Sequence, residues 1–230
     1  MTGGNWKESH VELAEKYRPK CWDEVIGQEA AVSKIRTLID RSGAGGTKWF
    51  LSGASGVGKT TIAEIIASLV ADRWSWIETT GRELSPSRIR EIWDMLGMYS
   101  LGKGGRALII NEAHGLSGPA IEVLLDALER VPSHAVVIFT TTKVGEAGLF
   151  ADHDDAAPLL RRCNRVTLTN QGLSRAFAPW LRNIAQLEQL DGLPESEYVK
   201  LMARCGNKPS EALNEIAMGA MSRKAAGGAA

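Results

Sequence analysis

The sequence carries no surplus of charge: lysine plus arginine number 27, and so do aspartate plus glutamate. Nucleic-acid binding through overall charge is therefore excluded, and any such contact has to come from a local patch or from assembly. Cysteine is scarce, with Cys21, Cys163 and Cys205 odd in number and far apart. This spacing excludes a disulfide framework and a four-thiolate zinc site, and it points to a reducing compartment. No run of about 18 apolar residues occurs, so nothing reads as a membrane span. The first ten residues lack the apolar centre of a secretory leader. A soluble, cytoplasmic protein without membrane attachment is expected. No internal repeat is found, and 230 residues suit one substantial domain with a smaller one.

What is present is the string Gly53-Ala54-Ser55-Gly56-Val57-Gly58-Lys59-Thr60, followed by Thr61. It fits G-x-x-x-x-G-K-[ST] at every fixed position. Glycines let backbone amides turn inward around phosphates, Lys59 reaches the β and γ oxygens, and the Thr60 hydroxyl can bind Mg²⁺. The flanks agree, because Trp49-Phe50-Leu51 reads as a buried strand and Ile62, Ile65, Ile66, Leu69 and Val70 recur at helical spacing. The phosphates have to sit at a helix N-terminus, so strand, loop and helix are what the motif needs.

Strand and helix patterns then alternate. Trp74 and Trp76 read as a second strand, Ser85-Pro86 opens a helix, and Ala107-Leu108-Ile109-Ile110 is a continuous apolar run typical of a buried parallel strand. A helix over 120–130, a strand over 135–139, a long loop and a strand over 165–168 complete the series. The expected fold is α/β, a parallel five-stranded sheet flanked by helices. Beyond Gly172 only amphipathic helical patterns occur, built on Phe177, Trp180, Leu181 and Ile184, on Tyr198, Leu201 and Met202, and on Leu213, Ile216 and Met218. The division expected is an α/β domain over 1–170, a helical lid over 171–222 and a disordered tail over 223–230.

Polar residues at strand ends carry the remaining chemistry. In phosphate-loop ATPases a carboxylate after the third apolar strand holds Mg²⁺ and a following glutamate polarises the attacking water. Glu112 fits the second role, and Asn111 stands where Asp is expected. His114, a lone histidine, reads as a structural hydrogen-bonder. Thr140-Thr141-Thr142 ends the fourth strand, where a hydroxyl could sense the γ-phosphate. Arg161-Arg162 could supply an arginine to a neighbour's nucleotide. Asp152-His153-Asp154-Asp155 lacks apolar support and reads as solvated acids. Arg82, Arg88, Arg90, Lys103 and Arg106 are candidates for phosphate contacts with DNA.

In this order the pieces resemble the AAA+ ATPases, and within them the clamp-loader subunits of DNA replication. The resemblance runs from about Leu13 to about Leu213 and rests on Glu15-Lys16-Tyr17-Arg18-Pro19, Val25-Ile26-Gly27-Gln28, the phosphate loop, Asn111-Glu112-Ala113-His114 and Arg161-Arg162-Cys163. It implies a P-loop NTPase core with a helical lid, ATP and Mg²⁺ as cofactors, and Mg²⁺ held by Thr60 and Asn111. It further implies an adenine pocket at Tyr17, Arg18, Val25 and Ile26, a sensor at Thr141, and a trans-acting finger at Arg162. The implied partners are other subunits in a ring or partial ring, a sliding clamp and primed DNA. Three departures follow. Asn111 replaces Asp, and Ser210 stands where the sensor arginine of the lid is expected, leaving Lys208 or Arg204 to supply it. The sequence also ends where the family's collar domain would begin. These favour, as an alternative, a weakly hydrolysing structural subunit or a helicase-loading or partner-remodelling ATPase.

Overall fold

The computed structural model describes residues 12–143 and 156–222. The long loop containing Asp152 to Asp155 and the tail from 223 onward lie outside the described residues. The described chain forms two compact units, residues 20–171 and residues 12–19 together with 172–222.

The larger unit is an α/β sandwich around five parallel strands: β1 (Lys48–Ser52), β2 (Trp76–Thr80), β3 (Arg106–Asn111), β4 (Ala135–Thr141) and β5 (Asn164–Thr167), in spatial order β2-β3-β4-β1-β5. The central strand β4 is buried at every position, as a strand covered on both faces has to be. Because side chains alternate across a sheet, Phe50, Leu108, Ile110, Val137 and Phe139 meet one set of helices, α4 (Pro86–Leu96), α5 (Gly118–Ala127) and α6 (Ala156–Arg161). Phe50 and Phe139 stack across the adjacent strands with centroids 6.0 Å apart. Helix α3 (Lys59–Val70) contacts β1, β3 and β4, while α2 (Glu29–Ser42) lies along β5. Helix α4 starts with an N-cap, the Ser85 hydroxyl accepting from the Arg88 amide, and Pro86 occupies the first turn, where a missing N–H costs nothing.

The second strand is shorter than the tryptophan alternation suggests. Trp74 belongs to a 3₁₀ turn over Arg73–Ser75 and is 71% exposed, and only Trp76 enters β2, its indole N–H donating to the Ala71 carbonyl. The turn wins because Asp72 caps it with a backbone bond to Ser75.

The smaller unit packs α1 (Leu13–Lys16) with α7 (Leu173–Leu187), α8 (Glu195–Arg204) and α9 (Pro209–Ala217). It is discontinuous in sequence, whereas a linear division at 170 assigns residues 12–19 to the sheet. Glu188, at the end of α7, holds α1 through Lys16 Nζ (2.6 Å) and the Tyr17 hydroxyl (2.5 Å). Buried Tyr198 donates to Asp191 at 2.8 Å, which pushes its phenol pKa up through burial and this bond. Among the described residues no helix is long and apolar enough to cross a membrane.

Candidate active site

The carboxyl ends of β1, β3 and β4 converge, as expected for ligand sites in parallel α/β sheets. From β1 the chain passes through Gly53 (φ 155°), Gly56 (φ 80°) and Gly58 (φ 98°) before α3 begins at Lys59. Gly58 is the N-cap in the left-handed region, which L side chains rarely adopt. Gly53 is packed so closely that a Cβ there would lie 3.0 Å from the Leu168 carbonyl oxygen. No side chain caps α3. Its first-turn amides have no intrahelical acceptors, so they are free to face an anion. Thr60 is exposed and Thr61 partly buried at this end, while Ala54 and Ser55 form the rim of the loop and Val57 its buried foot.

Lys59 is only 7% exposed, and its ammonium donates to the carbonyls of Gly53 (2.9 Å) and Ala54 (2.7 Å). Burial pushes its pKa below the ordinary lysine value, and the facing Glu112 carboxylate pulls the other way. The loop thus folds its own cation over the concavity, and a phosphate would exchange the two carbonyl contacts for charge-assisted ones.

The β3 end supplies the opposite wall. Asn111 closes β3, and its side-chain oxygen accepts from the Thr140 hydroxyl at 2.8 Å. Glu112 follows with φ 50° and ψ 48°, a left-handed conformation costly for a residue with a Cβ. The turn is secured by the Gly115 amide donating to the Glu112 carbonyl at 2.8 Å. Gly81 makes room for it, since a Cβ there would stand 2.7 Å from that same oxygen. The half-exposed Glu112 carboxylate lies 3.3 Å from His114 Nε2 and accepts from the Thr142 hydroxyl at 3.4 Å. His114 Nδ1 lies 3.1 Å from the hydroxyl of the fully buried Thr141.

The structure therefore brings Asn111, Glu112 and Thr141 to the ends of the neighbouring strands β3 and β4, with β4 beside β1, whose end leads into residues 53–61 and Lys59. It does not bring Arg162 there. That guanidinium pairs with Glu129 (2.6 Å) and donates to the Pro158 carbonyl (3.2 Å). Its neighbour Cys163 has a thiol pushed up to about 12 by burial. Val25 and Ile26 are half-buried in the larger unit, whereas Tyr17 and Arg18 belong to the smaller one, where Arg18 pairs with Glu15 at 2.7 Å. Lys208 is engaged with Glu211 at 2.6 Å. The five basic DNA candidates do not make one patch: Lys103 and Arg106 stand at the amino end of β3, bonded to the Ser68 and Met98 carbonyls, while Arg82 follows the carboxyl end of β2.

For two residues the sequence did not reveal the partners. His114 touches both Glu112 and Thr141, which follows only from the register of β3 against β4. Gln28, 3% exposed, donates to the Val57 and Thr169 carbonyls and accepts from the Thr169 amide, tying the loop to the segment after β5. A glutamine after Gly27 at a helix start carries no local signal of these distant bonds.

For Mg²⁺ the donors fit a hard cation that keeps most of its waters. The Thr60 hydroxyl is exposed, and the Asn111 oxygen retains a lone pair beyond its bond to Thr140. Among the described residues no cluster of three or more His, Cys, Asp or Glu could hold a metal without such help.

Comparisons with known proteins bear on the family and the fold. The family described as the Holliday junction DNA helicase RuvB P-loop domain matches residues 17–144. DNA polymerase III subunit gamma of Buchnera aphidicola is 29% identical over 155 residues, covering 57% of this chain and 43% of that protein. The RuvB subunit of the Holliday junction branch migration complex of Streptomyces avermitilis is 36% identical over 115 residues, 49% of this chain and 30% of that protein. A variant of Thermotoga maritima RuvB superposes with a TM-score of 0.69 at 23% identity, over 87% of this chain and 64% of that one, a likeness of fold. The chain spans less than half the length of the curated relatives it matches.

Proposed function

The chain belongs to the family of RuvB-type P-loop domains within the AAA+ ATPases, and on that premise we propose that it binds and hydrolyses Mg²⁺-ATP as one subunit of an oligomeric DNA-replication machine, most like a sliding-clamp loader. The observation that carries the reading is buried Lys59 at the start of α3, its ammonium folded onto the Gly53 and Ala54 carbonyls of the phosphate loop.

In this mechanism the loop amides and Lys59 bind the triphosphate, and the Thr60 hydroxyl and Asn111 hold the metal. Mg²⁺, when bound, neutralises charge on the β and γ phosphates. Glu112 orients the attacking water and takes its proton, and Thr141 monitors the γ-phosphate from the tip of β4. Val25 and Ile26 contact the adenine from the larger unit. Arg162 acts on a neighbour's nucleotide, and leaving Glu129 is the conformational cost of engaging it.

Clamp loading is favoured by Tyr17-Arg18-Pro19 and Arg162-Cys163, and by the likeness to a polymerase III gamma subunit. The likeness to RuvB favours a second reading, remodelling of branched DNA or a helicase-associated partner. Turnover measured with primed-template DNA plus a ring-shaped clamp, and separately with four-way junctions, tests the choice. Stimulation by the first alone supports loading. Stimulation by junctions alone removes it.

A further inference from the structure

His114 lies between the two residues assigned to hydrolysis. Its Nδ1 stands 3.1 Å from the Thr141 hydroxyl and its Nε2 stands 3.3 Å from the Glu112 carboxylate. The carboxylate beside Nε2 favours one tautomer. Glu112 can only accept, so in the neutral ring the proton sits on Nε2 and Nδ1 is left to accept from the Thr141 hydroxyl. The Lys143 amide donates to the same Thr141 oxygen at 3.2 Å, which is compatible with that hydroxyl donating to Nδ1. Thr142 contributes a second, longer donor to the same Glu112 oxygen at 3.4 Å.

We propose that His114 is a positioning residue for ATP hydrolysis, held as the Nε2–H tautomer between Thr141 and Glu112 and setting the Glu112 carboxylate at the end of β3. The role is needed because Glu112 is half exposed and sits on a left-handed turn, so its own rotamers and backbone do not fix where the carboxylate points. A ring 18% exposed, wedged between the ends of β3 and β4, provides the rigid support that a solvent-facing glutamate lacks. The arrangement also places the γ-phosphate sensor and the water-orienting base on the two nitrogens of one ring, so a shift of Thr141 is transmitted to Glu112 through a single side chain.

The proposal rests on the hydrolytic reading above, and its test separates the two. Steady-state turnover, ATP affinity by a fluorescent analogue and thermal unfolding are measured for wild type, Glu112→Gln, His114→Ala, His114→Gln and His114→Asn. Glutamine places its amide donor near the Nε2 position, and asparagine places one near Nδ1 and cannot reach Glu112. The expected result is that His114→Ala and His114→Asn lower kcat about tenfold at unchanged ATP affinity, while His114→Gln stays within about twofold of wild type. Glutamine and asparagine are matched in polarity, so their contrast stands even where alanine unfolds the turn. Long-range ¹⁵N–¹H correlation on the wild-type histidines, assigned by the His114→Gln spectrum, is expected to give the Nε2–H pattern for His114. An Nδ1–H tautomer, or equal loss of kcat in the glutamine and asparagine variants, overturns the positioning role. Absence of turnover in wild type itself overturns the hydrolytic reading and this role with it, even where the tautomer is the one expected.

Discussion

At the scale of single residues, Lys59 shows how a binding group is stored. Its ammonium is buried, disfavoured by desolvation and satisfied by two carbonyls of its own loop. Substituting methionine removes both the desolvation cost and the two bonds, which oppose each other. Thermal unfolding of Lys59→Met without nucleotide is expected within about 1 kcal/mol of wild type. The upward shift of Tm produced by Mg²⁺-ATP in wild type should vanish in the variant. The cysteines give a second residue-level test. Cys163, with its thiol raised to about 12 by burial, should resist an alkylating reagent at pH 8 that modifies the exposed Cys21. Mass mapping of the labelled native protein checks this. The phosphate loop was legible in the sequence because its chemistry is local: glycines, lysine and threonine act within eight consecutive positions. The contact of His114 with Thr141 was not, because Thr141 lies on another strand and a lone histidine says nothing about register.

At the scale of elements, the sheet was legible wherever apolar runs were continuous, as in β3 and β4. It was less so at β2, where the exposed Trp74 mimics strand alternation while a 3₁₀ turn takes the residue out of the ladder. The turn at Glu112 depends on a neighbour that pattern reading does not connect with it. A Cβ on Gly81, after β2, would stand 2.7 Å from the Glu112 carbonyl oxygen and clash with it. Gly81→Ala should cost about 1–3 kcal/mol in chemical denaturation and lower turnover by tilting the turn. Helix α1 offers a pH test. Glu188 is held below the ordinary carboxylate value of 4.5, first by its bond from Lys16 and then by that from Tyr17. A depressed carboxylate adds stability above its unfolded value and loses it as pH falls through the folded one. Glu188→Gln should therefore melt below wild type at pH 7, and the two melting temperatures should converge once the pH drops well under 4.5. A difference that persists unchanged at pH 3 contradicts the assigned cause.

At the scale of the whole molecule, the arginine assigned to a neighbour's nucleotide is the point to test. Arg162 is paired with Glu129 instead of lying beside residues 53–61. Glu129→Gln loosens that pairing, and as an exposed ion pair it contributes little to stability. Under the proposed function it should leave Tm nearly unchanged while raising turnover in the assembled state, whereas Arg162→Ala should lower turnover without weakening nucleotide binding. Analytical ultracentrifugation with and without ATP shows whether assembly accompanies the effect. The α/β class and helical lid followed from the order of apolar patterns. The grouping of α1 with the C-terminal helices did not, because it is set by Glu188 reaching back to Lys16 and Tyr17, residues more than 170 positions away in sequence.

The central claim is that ATP bound at residues 53–60 is hydrolysed with the help of Glu112. Single-turnover phosphate release by wild type and Glu112→Gln, each loaded with Mg²⁺-ATP to equal occupancy, tests it most directly. Release by wild type and a loss of about a hundredfold or more in the variant are expected. Equal rates in the two proteins, or no release from loaded wild type, would contradict it.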